Sequence, residues 1–236
     1  MIALDGLCVR AGKRSLIEGL DLSLGRERLG IVGESGSGKS LTARAMLGLL
    51  PRGLTATWRR YEFDGRKAEP RRLRGRGIGL VMQDPKQALN PVLTVGEQLR
   101  ETLAVHGRKA DPAALLDEVG LAPETLDRYP HQLSGGMGQR AMIALALAPE
   151  PRALICDEAI SALDPGLALT VLALLDRLVA RRGLGLIFIS HDLGLVARFC
   201  DRLMVMNRGR AVETLAARDL ARAAHPYTRE LLVAAQ

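Results

Sequence analysis

Between an apolar run, Leu29 to Val32, and a second run of helical period, Leu41 to Leu50, the chain reads Gly33-Glu34-Ser35-Gly36-Ser37-Gly38-Lys39-Ser40. This fits the phosphate-loop pattern GxxxxGK[ST], standing between a predicted strand and a predicted helix as its chemistry requires. The glycines let the backbone curl until successive amide hydrogens point inward at phosphate oxygens. The helix that follows, beginning near Leu41, offers its positive N-terminal end to the same anion. Lys39 is placed to reach β- and γ-phosphates, and the Ser40 hydroxyl to coordinate Mg²⁺. A merely flexible glycine turn is the competing reading in a chain with 25 glycines. The strand-then-helix context decides for nucleotide binding.

The rest of the chain frames that loop. Alternating Leu20, Leu22 and Leu24, closed at Gly25, predict an early half-buried strand. Pro51 is expected to stop the helix that follows the loop. Residues 52–76 are rich in arginine and glycine, and a strand, Ile78 to Met82, then leads into Gln83-Asp84-Pro85. Residues 95–148 are mostly helical by period, broken at Gly107, Pro112, Gly120, Pro123 and Pro130. Beyond them Ala153–Cys156 predicts a buried strand, Leu167–Arg181 a helix, Leu186–Ser190 a strand and Leu203–Met206 another. Strands alternating with helices imply an α/β fold with a mainly parallel core sheet. The expected organisation is one domain over residues 1–236, a helical subdomain inserted at about 88–148, and a helical tail from Ala216 to Gln236 wrapped over the outside.

Composition narrows the classes. At 236 residues, 47% hydrophobic and 25% charged, the chain is globular and long enough to bury a core. Aromatics are only 3%, with Trp58 the single tryptophan, which argues against base-stacking nucleic-acid modules. Thirty-three basic residues against 26 acidic give +7, which fits an anionic partner or a solvated arginine-rich surface. No run reaches the roughly 18 apolar residues of a membrane span, and the first residues show no signal pattern. Cys8, Cys156 and Cys200 are widely spaced without a CxxC pair. They read as reduced core thiols of a cytosolic protein.

A second acidic element is Leu154-Ile155-Cys156-Asp157-Glu158, a buried strand ending in two carboxylates. Asp157 suits Mg²⁺, through water, and Glu158 suits the task of orienting and deprotonating an attacking water. Such a pair alone is more often surface charge; it gains weight from sharing a chain with the phosphate loop.

With Leu133-Ser134-Gly135-Gly136-Met137 added, the sequence resembles the ABC-type ATPases, whose signature is LSGG. Gln83 after a strand, Ser161-Ala162-Leu163-Asp164 after the paired carboxylates, and His191 after another strand complete the resemblance, which runs from about residue 3 to 232. It implies a P-loop ABC ATPase fold with an N-terminal antiparallel β subdomain and an inserted helical subdomain. It also implies roles. Ser134, Gly135 and Gly136 bind the γ-phosphate of a nucleotide held by a second ATPase subunit, identical or related. Gln83 senses Mg²⁺ and the attacking water, Glu158 is the base, His191 holds the γ-phosphate, and Asp164 links the two sites. ATP and Mg²⁺ are the implied cofactors.

Arg74-Gly75-Arg76-Gly77-Ile78, the stretch Leu89-Asn90-Pro91-Val92-Leu93-Thr94-Val95-Gly96-Glu97-Gln98, and His225-Pro226-Tyr227-Thr228 look like the oligopeptide, dipeptide and nickel importer branch. The resemblance implies two permease subunits, an extracytoplasmic solute-binding protein, and a peripheral place on the cytoplasmic face of the inner membrane. The solute stays open among peptides, nickel and metal chelates. The lack of a cysteine-rich tail leans slightly toward the nickel type. Three departures stand out: Ala159-Ile160 where the family usually has Pro-Thr, Gly138 where a basic residue or glutamine is usual, and no adenine-stacking aromatic near Arg10 and Ala11. Tyr61 and Phe63 are the first candidates to reach a base from elsewhere. The alternatives are a soluble ABC ATPase acting on nucleic acid or ribosomes and a hydrolysis-impaired nucleotide switch. The tandem units or coiled-coil insert usual in the former are missing, and no nucleic acid is expected as partner. Arg59, Arg60, Arg66, Lys67, Arg71, Arg72, Arg74 and Arg76 read as a solvated surface near the membrane.

Overall fold

In the first strand, Leu4, Leu7 and Val9 are buried while the residues between them are partly exposed, a pattern that is period two except for one extra residue. Gly6, at φ +66°, absorbs that residue as a bulge, so the leucines on either side share one face. The computed structural model describes residues 1–234. Strands β1 (Ile2–Ala11), β2 (Arg14–Leu24) and β3 (Arg28–Val32) precede helix α1 (Lys39–Met46). Short strands β4 (Leu54–Thr57), β5 (Arg60–Phe63) and β6 (Arg66–Lys67) follow, then α2 (Pro70–Leu73) and β7 (Ile78–Val81). Helices α3 (Pro85–Ala88), α4 (Val95–Val105), α5 (Pro112–Glu118) and α6 (Gly135–Leu147) lead to β8 (Ala153–Asp157). The chain continues through α7 (Pro165–Arg182), β9 (Gly185–Ile189), α8 (Leu193–Phe199), β10 (Arg202–Asn207) and β11 (Arg210–Ala216) to α9 (Pro226–Ala234).

The chain divides into two units, one of residues 1–74 with those from 185 onward, the other of residues 75–184. In the first unit β1 is the hub of an antiparallel sheet. It pairs with β2 on one side and with β4 and β5 on the other, and β6 extends the sheet from β5. The arginine-rich stretch before β7 thus forms short strands whose basic side chains face water. The same unit holds β10, β3 and β9 in parallel register, with β11 antiparallel at the edge beyond β10. Leu29, Val32, Leu186, Phe188 and Val205 are wholly buried there, as strands covered on both faces require.

In the second unit β7 and β8 pair in parallel, Ile78 opposite Ala153. At Gly79 a Cβ would stand 2.6 Å from the Ala146 carbonyl oxygen, so the missing side chain lets α6 approach β7. α4 opens with a capping box in which Thr94 and Glu97 satisfy each other's backbone N–H groups. The far end of α7 is fastened by Arg182 Nε donating to Glu118 on α5 at 2.8 Å, and Gly183 ends the helix in the left-handed region.

Two boundaries differ from the sequence reading. The helix after the phosphate loop ends at Met46, not at Pro51, because Gly48 at φ +62° already turns the chain out of the helix. The stretch from Ala216 is not continuous helix: β11 ends there, a 3₁₀ turn covers Ala217–Arg222, and α9 starts afresh at Pro226. Proline initiates that helix because its ring presets φ and the first turn needs no amide hydrogen. The last two residues of the expected tail, Ala235 and Gln236, lie outside the described residues.

Candidate functional site

In the first unit, β3 delivers Gly33 at its carboxyl end, where the loop begins. Gly33 sits at φ +150°, and a Cβ there would overlap the Met206 carbonyl oxygen and stand 2.9 Å from Ser37 Oγ. Only glycine fits. Gly36 at φ +80° and Gly38 at φ +105° supply the two further left-handed turns that curl the loop before α1. The Ser37 amide donates to the Glu34 carbonyl at 3.2 Å, and the Gly209 amide donates to the Ser37 carbonyl at 2.9 Å, fixing the loop against the β10–β11 turn.

Lys39 is only 5% exposed. Its ammonium donates to the carbonyls of Gly33 at 2.8 Å and Glu34 at 3.0 Å, folding the side chain back over the loop. Ser37 is 4% exposed, and its buried Oγ has no hydrogen-bond partner among the described residues. A buried cation, an orphaned hydroxyl and a glycine cradle that a Cβ would fill are what a polyphosphate needs, so the residues fit that group. Ser40 follows Lys39 at the head of α1, and Leu41 continues the helix.

His191 lies in the same unit, exposed, just beyond β9. The residues beside it are held firmly. Ser190 Oγ accepts from the Asp192 amide at 3.1 Å, and Asp192 caps α8 by accepting from Leu195 at 2.8 Å.

The remaining predicted residues belong to the second unit. β8 ends at Asp157, and Glu158 follows with φ +50°, one of four non-glycine residues at positive φ among the described residues. The Ser161 amide and hydroxyl both donate to the Glu158 carbonyl, at 3.1 and 2.9 Å, and hold that conformation. A non-glycine residue in the left-handed region costs backbone energy, and here the Ser161 bonds offset it. Ala159 and Ile160, the departures noted in the sequence, are 1% and 7% exposed and pack into the core. Asp164 caps α7, accepting from Leu167 at 3.0 Å.

Ser134 caps α6, its Oγ accepting from the Met137 amide at 3.3 Å. Gly135 is exposed beside it, and at Gly136 a Cβ would press within 3.2 Å of Leu167. Ser134, Gly135 and Gly136 thus stand at the start of a 13-residue helix, the end that carries the positive pole of its dipole. Gln83 is exposed two residues beyond β7, where Asp84 caps α3 by accepting from Lys86 at 2.9 Å. Gln83, Ser134 and Gly135 line one cavity of about 330 Å³ together with Pro85, Leu133 and Gly138. At Gly138 a Cβ would stand 3.1 Å from Pro85 Cβ, a tight contact that α3 would relieve by giving a few tenths of an ångström. Gln139, fully buried in the same wall, was not singled out in the sequence; its Nε2 donates weakly to Met82 at 3.4 Å while its Oε1 has no partner among the described residues. Polar residues of a helix look exposed in sequence, and nothing local marks this one as buried.

Tyr61 is excluded as a base-stacking residue. It is 2% exposed, and its hydroxyl donates to the Met46 carbonyl at 2.9 Å. Burial pushes its phenol pKa well above the ordinary value. At the end of β1, Arg10 and Ala11 face Ser15 and Arg14 on β2 and Thr55 and Leu54 on β4, none of them aromatic.

The described residues contain no helix long and apolar enough to cross a membrane. A family model described as "ABC transporter" matches residues 17–161, more than half of the chain. A probable peptide ABC transporter ATP-binding protein, y4tR of Sinorhizobium fredii, is 45% identical over 87% of this chain and 66% of its own length. The glutathione import ATP-binding protein GsiA of Escherichia coli K12 is 42% identical over 94% of this chain and 39% of its own. The chain thus spans about two-fifths to two-thirds of the length of these relatives. Among solved structures, the dimeric cassette MJ0796 in a post-hydrolysis state with ADP and Pi aligns with TM-score 0.79 and 26% identity, over 92% of this chain and 99% of that one. CbiO1 of Clostridium perfringens aligns with TM-score 0.80 and 24% identity, over 94% and 90%, which speaks for the fold alone.

Proposed function

We propose, from the premise that this chain belongs to the ABC transporter family of ATP-binding proteins, that it hydrolyses ATP to energise the import of peptides across a membrane. The observation that carries the reading is the phosphate loop with its buried Lys39, orphaned Ser37 hydroxyl and side-chain-free Gly33. The peptide class is supported by the names of relatives such as y4tR and GsiA, glutathione being itself a tripeptide. None of these names nickel, so the lean toward that metal gains no support from them.

In this reading Lys39 swings from the Gly33 and Glu34 carbonyls to the β- and γ-phosphates, exchanging two neutral acceptors for charged ones. The loop amides from Gly36 to Ser40 surround the same oxygens. Ser40, Gln83 and Asp157 are the residues assigned to Mg²⁺. Their hydroxyl, amide carbonyl and carboxylate oxygens are the hard donors that ion takes. An ion held there would neutralise charge on the phosphates. Glu158 accepts the proton of a water whose oxygen attacks the γ-phosphorus; the bond to the bridging oxygen breaks, and ADP leaves with the electron pair. His191 donates to the γ-phosphate. Ser134, Gly135 and Gly136, at the head of α6, take the γ-phosphate of a nucleotide on a second ATPase subunit, and Asp164 relays between the two sites. The partners that follow are that second subunit, two permeases and a solute-binding protein, with this chain peripheral on the cytoplasmic face. The helices of residues 88–148 are assigned as the subdomain that carries the signature.

Calorimetry with MgATP tests the reading. Lys39→Ala is expected to raise Kd by at least about 100-fold, because a buried charge-assisted contact to phosphate is lost. An unchanged Kd refutes the phosphate-loop assignment.

A further inference from the structure

The His225-Pro226-Tyr227-Thr228 segment has no part in the chemistry above, yet its tyrosine touches the phosphate loop. The Glu34 amide donates to the Tyr227 hydroxyl at 3.1 Å across 193 positions of sequence. Glu34 is exposed and lies in a loop outside any ladder, so its N–H finds this one acceptor from α9. The peptide groups on the two sides of Glu34 are thereby held from opposite directions. Tyr227 takes the amide hydrogen, and the Lys39 ammonium donates to the carbonyls of Gly33 and Glu34 at 2.8 and 3.0 Å.

The tyrosine is itself set rigidly. Its ring is 8% exposed, and the neighbouring Thr228 is fully buried. The Tyr227 amide donates to His225 Nδ1 at 3.2 Å, closing the first turn of α9 on its own preceding side chain. Glu213 on β11 accepts from the Ala224 amide at 2.7 Å and the His225 amide at 3.2 Å, anchoring that turn to the sheet. Arg229 donates back to the Ala224 carbonyl at 2.6 Å. The four residues of the segment therefore make one clamp: histidine closes the turn, proline starts the helix, threonine packs inward and tyrosine reaches out.

We infer that Tyr227 is a positioning residue for nucleotide binding: it holds the Glu34 peptide so that the loop keeps its open cradle when Lys39 leaves the Gly33 and Glu34 carbonyls for the phosphates. Once the ammonium departs, the Glu34 carbonyl still accepts from the Ser37 amide within the loop, and the Tyr227 hydroxyl is the restraint on the Glu34 peptide that comes from α9. The consequence is a dependence of nucleotide affinity on the seating of α9, a route by which anything docking on this C-terminal helix alters the phosphate site without touching it. The inference rests on the phosphate-loop reading and adds a residue to it.

Tyr227→Phe removes the hydroxyl and keeps the ring. Because the loop contacts phosphates shared by both nucleotides, Kd for MgATP and MgADP is expected to rise together by about 3- to 10-fold, the effect of one neutral hydrogen bond. The melting temperature is expected to stay within about 2 °C of wild type, and hydrogen exchange at the Glu34 amide to accelerate without nucleotide. A purely structural role predicts the reverse, a lower melting temperature with unchanged Kd, and overturns the inference. Unchanged exchange at Glu34 also overturns it. Wild type and Lys39→Ala are titrated alongside. A wild type that binds no MgATP overturns the proposed function and this inference together, whereas binding equal in wild type and Tyr227→Phe but lost in Lys39→Ala overturns this inference alone.

Discussion

Replacing Gly30 by alanine places a methyl group in the middle of β3, the strand that delivers the phosphate loop. The new Cβ would overlap Val196 Cγ1 and stand 3.1 Å from Leu203 Cδ2 and 3.2 Å from Cys200 Sγ. Val196 is fully buried on α8, so it cannot swing into solvent. Overpacking of this kind costs about 1–3 kcal/mol. For a chain of this size that corresponds to a fall in melting temperature of about 2–12 °C. Val196→Ala alone removes two buried carbons, about 1.6 kcal/mol of transfer free energy plus a cavity term. In the double variant the methyl at position 30 enters the space vacated by Cγ1. The combined cost should therefore fall short of the sum by about 1–3 kcal/mol, read from urea midpoints at constant m-value. Costs that add within about 0.5 kcal/mol would show that Gly30 and Val196 do not meet, and would refute the seating of α8 on β3.

Acidification tests the second unit. Burial, then the nearby charges of Arg76 and Arg108, hold the His106 pKa below its ordinary 6.5. The unfolded chain therefore takes up this proton before the folded one, and stability is lost as pH falls below about 6.5 toward the folded pKa. His106→Gln should flatten melting temperature against pH between about 7 and 5.5, and an unaltered slope there would contradict the assignment. The strands beside Arg10 and Ala11 offer no aromatic face, and Tyr61 is locked in the core. ATP should be preferred over GTP by less than about tenfold, 1.4 kcal/mol, in competition titrations; a stronger preference would mean that a base-stacking face comes from elsewhere.

What the sequence made legible was local. Gly33 to Ser40 between two apolar runs, and the runs ending at Asp157 and Ile189, name their elements because fully buried strands read as unbroken apolar stretches. The antiparallel strands of residues 54–67 were not legible, since at four, four and two residues they are too short to show an alternation. Gly48, just past the end of α1 at Met46, outweighed Pro51 as a stop, and nothing in composition ranks two such breakers. For the candidate site the sequence offers residue identities and no backbone states. The positive φ of Glu158 arises from Ser161 bonding back to its carbonyl, and the Glu34–Tyr227 contact joins residues 193 positions apart. Long-range contacts of that kind leave no periodic trace in sequence.

The steady-state ATPase rate of Glu158→Gln, measured beside MgATP affinity, bears on the mechanism as a whole. Glutamine keeps the shape of the side chain but accepts no proton, so hydrolysis should fall by about 10²- to 10⁴-fold while Kd stays near wild type. The lost negative charge also lessens repulsion of the γ-phosphate, so ATP, but not ADP, should draw the variant into dimers on size-exclusion chromatography. Hydrolysis at the wild-type rate would remove Glu158 from the reaction and contradict the assignment of roles built on it.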